Sequence, residues 1–166
     1  GVADKISSWT GGKVRTVIKD KNEQEFTKAL QLVDNYVTQD KDVTKNYYRL
    51  SFYEETGNWK NCVSTMNSFI KKDGYENTAF VNSVSWKLYE SCPDKKLTGA
   101  ACDWMKAVVA KDPQYAYMDT YAAVLYKTGK TKEAANWAKK AIAVGKQSGS
   151  DVSGTEKLLA KINATK

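Results

Sequence analysis

Residues 101–110, ACDWMKAVVA, lie without a gap on residues 134–143, AANWAKKAIA, 33 positions later. Trp104 meets Trp137, Lys106 meets Lys139, and the apolar positions coincide. The same frame continues upstream. Cys62, Met66, Phe69 and Ile70 take the slots of Ala134, Ala138, Ala141 and Ile142, and Ala29, Val33, Tyr36 and Val37 take them again. The anchors 29, 62, 101 and 134 are thus 33, 39 and 33 residues apart. A repeat of this length dictates architecture, because each unit must bury its apolar face on its neighbours. Within each unit the offsets 0, 4, 7 and 8 put the side chains on one helical stripe. A small residue, Ala or Cys, leads every stripe, as close helix packing requires.

An earlier helix precedes each of the last three stripes, over about 44–56, 77–91 and 115–128. Met118, Tyr121, Ala122, Leu125 and Tyr126 form the apolar face of the last. Gly57 and Gly129 suit the left-handed backbone that ends a helix, with Thr131 as the next cap. In the middle unit Cys92-Pro93-Asp94-Lys95-Lys96 replaces that tight turn, which predicts an extended loop and a cap at Thr98. Asn22-x-x-Glu25 and Ser153-x-x-Glu156 match the capping box. The second starts a closing helix over 154–164 with Leu158, Leu159 and Ile162 inward, after a glycine- and serine-rich loop over 145–154. Val2, Ile6 and Trp9 have helical spacing up to Gly11-Gly12. Residues 1–21 are therefore either a degenerate first hairpin helix or the end of an upstream domain, and 22–166 form the helical repeat domain.

The chain has no histidine, which removes the commonest general base and the commonest metal ligand together. No Ser-His or Cys-His pairing is possible, and Gly11-Gly12-Lys13 is too short for a phosphate-binding loop. No catalytic residue, cofactor site or metal site is expected. Cys62, Cys92 and Cys102 form no Cys-x-x-Cys pair. Three cysteines fit free thiols, or equally one disulfide and one thiol, and a Cys92–Cys102 bridge would cross the middle loop.

The net charge of +7 comes from 26 Lys and Arg against 19 Asp and Glu. Only Arg15 and Arg49 are arginines, and the lysines are interleaved with acids. Nucleic-acid interfaces favour clustered arginine, so a nucleic-acid or anionic-surface binder is the weaker expectation. No apolar run reaches the roughly 18 residues of a membrane span, so membrane insertion is not expected.

The hairpin from Met118 to Gly145 resembles the tetratricopeptide repeat family, through Met118, Tyr121-Ala122, Leu125-Tyr126, Gly129, Ala134, Ala138 and Ala141. The resemblance extends over about 22–146, and Arg49 departs from it at a usually apolar slot. It implies an all-α, right-handed superhelical stack of antiparallel hairpins. Its first helices would line a concave groove for a peptide or partner surface. The groove slots carry over to Tyr47, Asn82 and Asp119, with Ser51, Trp86 and Ala123 one turn later. The plainer expectation keeps Tyr47 and Trp86 in the core and leaves Asn82 and Asp119 solvated or capping. The family's carboxylate clamp needs Lys and Asn, then Lys and Arg. Tyr47, Ser51, Ala116 and Asp119 stand there instead, so the groove is expected to be mildly acidic and not to capture a C-terminal carboxylate. Trp104 and Trp137 hold equivalent slots on second helices, where packing between hairpins is expected.

The segment DTYAAVLYKTG at 119–129, after Trp86–Tyr89 and Trp104, is also similar to helical tails on thioredoxin-like domains of exported bacterial proteins. That likeness implies an accessory structural domain in an exported or periplasmic protein, with the redox site upstream. The leading expectation is a non-catalytic protein-binding or scaffolding module.

Overall fold

The computed structural model describes residues 1–165, which form nine α-helices and no strand. They are α1 (Val2–Asp20), α2 (Glu23–Tyr36), α3 (Lys41–Thr56), α4 (Trp59–Asp73), α5 (Thr78–Ser91), α6 (Lys95–Lys111), α7 (Tyr115–Lys127), α8 (Thr131–Gln147) and α9 (Ser153–Ala164). The protein is all-α. Among the described residues no helix is long and apolar enough to cross a membrane.

The even-numbered helices begin at residues 23, 59, 95 and 131, 36 residues apart each time. The uneven spacing of the apolar anchors has a simple origin. Ala29 and Ala101 lie six residues into α2 and α6, whereas Cys62 and Ala134 lie three residues into α4 and α8. Three residues make nearly one helical turn, so the anchor keeps its face. All four anchors are buried, as are Val33, Met66, Met105 and Ala138 one turn on. Tyr36 breaks the pattern: its counterparts Phe69, Val108 and Ala141 are buried, but it stands 48% exposed, edge-on to Trp9.

Helix ends correct several expectations. The middle loop is only residues 92–94, because α6 starts early. Asp94, not Thr98, caps it, accepting from the backbone N–H groups of Lys96 and Leu97 at 2.8 and 3.1 Å. Thr98 lies buried within the helix and donates to the Asp94 carbonyl. Thr131 and Ser153 are first helical residues, not caps. Asn22 does cap α2, accepting from the Glu25 N–H at 3.0 Å. Gly57 and Gly129 end α3 and α7 with φ of +70° and +85°.

The chain divides into two compact units, Gly1–Lys72 and the part from Asp73 onward. In the first, α1 packs on α2 and α3. Gly11 and Gly12 do not stop α1. Gly11 is buried where a Cβ would come within 2.9 Å of the Tyr48 hydroxyl, so its bare backbone permits that approach. The core joins Val14, Ile18, Phe26, Ala29, Val33 and Phe52, with Phe26 and Phe52 stacked at 4.2 Å. Lys45 pairs with Asp34 at 2.8 Å between α3 and α2, which holds that carboxyl below its usual range.

In the second unit each helix from α5 to α8 packs on the next, and α8 packs on α9. The expected loop over 145–154 shrinks to residues 148–152, since α8 continues to Gln147. Gly145 lies inside α8 against Tyr115 and Val152, where a side chain would collide with both. The glycine there serves packing.

Candidate binding cleft

The middle helix of the second unit, α7, is buried nearly all round from Tyr117 to Leu125. On one side it lies along α5, tied at both ends. Thr78 donates to the Tyr117 hydroxyl at 3.3 Å near the two N-termini. Near the two C-termini, Lys127 donates to the carbonyls of Leu88 and Tyr89 at 2.9 and 2.6 Å. These ties make α5 and α7 parallel neighbours. Lys127 thereby reaches the last turn of α5, where the Leu88 carbonyl already accepts from the Cys92 N–H but Pro93 leaves the Tyr89 carbonyl without a backbone donor. Burial lowers its pKa.

On its other side, the start of α7 meets the start of α9. Thr155 donates to Asp119 Oδ1 at 2.6 Å, and the Tyr115 hydroxyl lies 2.8 Å from Thr155 Oγ1 and 3.1 Å from the Asp151 carbonyl. Helices α5, α7 and α9 therefore stand side by side, and a cleft of roughly 360 Å³ opens among them. Trp86, Tyr89, Asp119, Leu158, Lys157 and Lys161 line it, with Gly154 at the edge.

Helix α5 shows why its aromatics reach this cleft. Val81, Val84, Ser85 and Leu88 form its buried stripe. Asn82, Trp86 and Tyr89 form another, at offsets 0, 4 and 7, and are half-buried. The Trp86 and Tyr89 rings meet at 5.0 Å. Asn82 lies one turn before Trp86, and its Oδ1 is a buried acceptor without a partner, as is Ser85 Oγ.

Asp119 is the electrostatic centre. Burial raises its pKa, and the Thr155 hydrogen bond partly offsets that. Its charge in turn helps burial raise the Tyr89 phenol. Among the described residues no lysine or arginine forms an ion pair with it.

No protein-family model, curated protein or solved structure matches the chain.

Of the six groove positions named from sequence, Trp86 and Asp119 meet in this cleft. Asn82 lies on the same stripe. Ala123 is fully buried, so it offers no surface to a ligand. Tyr47 and Ser51 belong to the first unit, where Tyr47 is half-buried against Phe69 and Ser51 is exposed on α3. The cleft is not simply acidic, because Lys157 and Lys161 of α9 line it together with the single carboxylate of Asp119. Those lysines, Tyr89 and Thr155 escaped sequence reasoning. The three-residue step from Trp86 to Tyr89 was the available signal for one of them.

Elsewhere, Trp104 is buried, while Trp137 packs on Tyr121 at 5.0 Å under the Lys140 ammonium. Among the described residues Cys62, Cys92 and Cys102 are buried and form no disulfide. Cys102 contacts the Thr128 hydroxyl at 3.5 Å, and burial raises its pKa, which suits an inert thiol. Among the described residues no group of three or more His, Cys, Asp or Glu is set to hold a metal ion.

Proposed function

We propose that this chain is a tetratricopeptide-like helical repeat protein that binds a partner polypeptide, without catalysis, in the cleft among α5, α7 and α9. The observation that carries the reading is the cleft itself. Half-buried aromatics, a carboxylate and lysine stems converge there from three neighbouring parallel helices. Such clefts bind through a few buried anchors, with aromatic groups supplying much of the area.

The repeat supports the same reading. A 36-residue step between even-numbered helices is close to the family's period of about 34 residues. In such a stack α9 stands where the first helix of another pair would begin, which turns its inner face toward the groove. The absence of histidine throughout the sequence agrees with binding rather than acid–base chemistry.

Selection from a random peptide display library tests the proposal. Enriched peptides are expected to bind wild type and to lose about tenfold or more in affinity for Trp86→Ala, with the helical circular dichroism unchanged. Peptides that bind Trp86→Ala as well as wild type would place the binding surface elsewhere.

A further inference from the structure

The polar cluster that joins Asp119 to Thr155, Tyr115 and Asp151 is one hydrogen short. Three contacts join Asp119 to Thr155, Thr155 to Tyr115, and Tyr115 to the Asp151 carbonyl. With Asp119 ionised, only the Thr155 and Tyr115 hydroxyl hydrogens serve these three contacts. Thr155 gives its hydrogen to Asp119, so Tyr115 must divide its own between Thr155 and Asp151. Among the described residues Thr155 is the only side chain that hydrogen-bonds to Asp119, and no cation pairs with it. A half-buried carboxylate in this state has one side-chain donor and no countercharge.

Among the described residues none of the other residues lining the cleft forms an ion pair with Asp119. Trp86 and Tyr89 present ring surface, which attracts a cation through the ring quadrupole. Lys157 and Lys161 also line the cleft but are exposed, so water is open to their charges. Their charges repel a cation at the rim but attract acidic groups beside it. The lining thus combines one half-buried carboxylate, two half-buried rings and two exposed lysines.

Resting on the groove reading above, we propose that the cleft takes an arginine or lysine side chain of the bound polypeptide, its cation held by Asp119 against Trp86 and Tyr89, with acidic residues flanking it toward Lys157 and Lys161. The N–H donors of the guest bond the Asp119 lone pairs that Thr155 leaves open, and its charge supplies the missing counterion. The flanking acids set the orientation of the chain.

Three peptides that differ only at the centre test this: Gly-Glu-Gly-Xaa-Gly-Glu-Gly, capped at both ends, with Xaa as Arg, Gln or Glu. Calorimetric titration of the full chain is expected to favour Arg over Gln by about tenfold, as a charge-assisted hydrogen bond and ring contact imply. Asp119→Asn is expected to cut that preference to about twofold or less. Lys157→Gln with Lys161→Gln is expected to weaken the Arg peptide while leaving its advantage over Gln in place. A preference for Gln or Glu, or an Arg preference that survives in Asp119→Asn, overturns the assignment. So does failure of all three peptides to bind. If library-selected peptides still require Trp86 in that case, the groove reading stands and only the basic anchor falls. If they do not, both fall.

Discussion

Thr155 donates a 2.6 Å hydrogen bond to Asp119, and so fastens α9 to α7 through a carboxylate that burial makes costly to ionise. The same carboxylate serves the fold and faces the cleft, and two substitutions separate these roles. Thr155→Val keeps the shape but strands the carboxylate, at an expected cost of about 1–3 kcal/mol. Asp119→Asn removes the buried charge and can donate its amide hydrogen to Thr155. Its stability is expected within about 0.5 kcal/mol of wild type or above it. Urea unfolding of the two variants beside wild type checks this ordering. Equal losses in both would mean that the carboxylate charge itself holds the contact.

The raised pKa of Asp119 gives its contribution to stability a definite sign. A carboxyl whose folded pKa lies above the unfolded value of about 3.9 binds its proton more tightly when folded. Its stabilising effect is complete below the unfolded pKa and is lost as pH rises through the folded one. The lowered carboxyls of Asp34 and Asp151 act oppositely, losing stability as pH falls. A difference experiment isolates Asp119. The stability of Asp119→Asn minus that of wild type is expected to rise as pH increases from about 3.5 and then level off. Denaturant unfolding across pH 3.5–7 measures it, and a flat difference would show that the folded site does not favour the proton.

Two helical glycines are expected to respond in opposite directions to alanine. A Cβ at Gly145 would collide with Val152 Cγ1 and come within 2.9 Å of Tyr115 Cδ2. Tyr115 is also part of the Asp119 cluster, so it has little freedom to retreat. Gly145→Ala is expected to cost about 1–3 kcal/mol by overpacking. Gly99, inside α6, has nothing within 4 Å of its Cβ position. Gly99→Ala is expected to add about 0.5–1 kcal/mol through helix propensity. Thermal unfolding of both single variants decides whether packing or propensity governs each site.

What the sequence revealed depended on which physical signal each element carries. The even-numbered helices were legible because their small and apolar residues recur on one stripe and all pack inward at the anchors. Gly57 and Gly129 were legible as turns because their positive φ favours that residue. The α6 start was misplaced because both Asp94 and Thr98 are competent caps, and periodicity does not choose between them. The loop over 145–154 was overdrawn because composition reads Gly145 as flexible, whereas its role is a close approach to Tyr115 and Val152. At the cleft, Trp86 and Asp119 are groove slots that the tetratricopeptide resemblance implies, but Lys157 and Lys161 are not. A helix assigned only to closing the end of a stack offers no reason to look for ligand contacts on it.

Lys127 supplies the last prediction, since one ammonium group caps α5 from α7. It reaches the carbonyls of Leu88 and Tyr89 at 2.9 and 2.6 Å and lies 6.0 Å from the Tyr89 ring centroid. Lys127→Met preserves most of the stem's apolar contact but removes both hydrogen bonds and the charge at the helix C-terminus. Hydrogen bonds to a charged group contribute about 1.5–3 kcal/mol, and the ammonium is partly buried, so a loss of about 1–3 kcal/mol is expected. Because Tyr89 lines the cleft from that last turn, hydrogen exchange of the amides near residues 88–91 is expected to quicken in the variant. Unchanged protection there, with unchanged global stability, would mean that water satisfies the Tyr89 carbonyl as well as the lysine does.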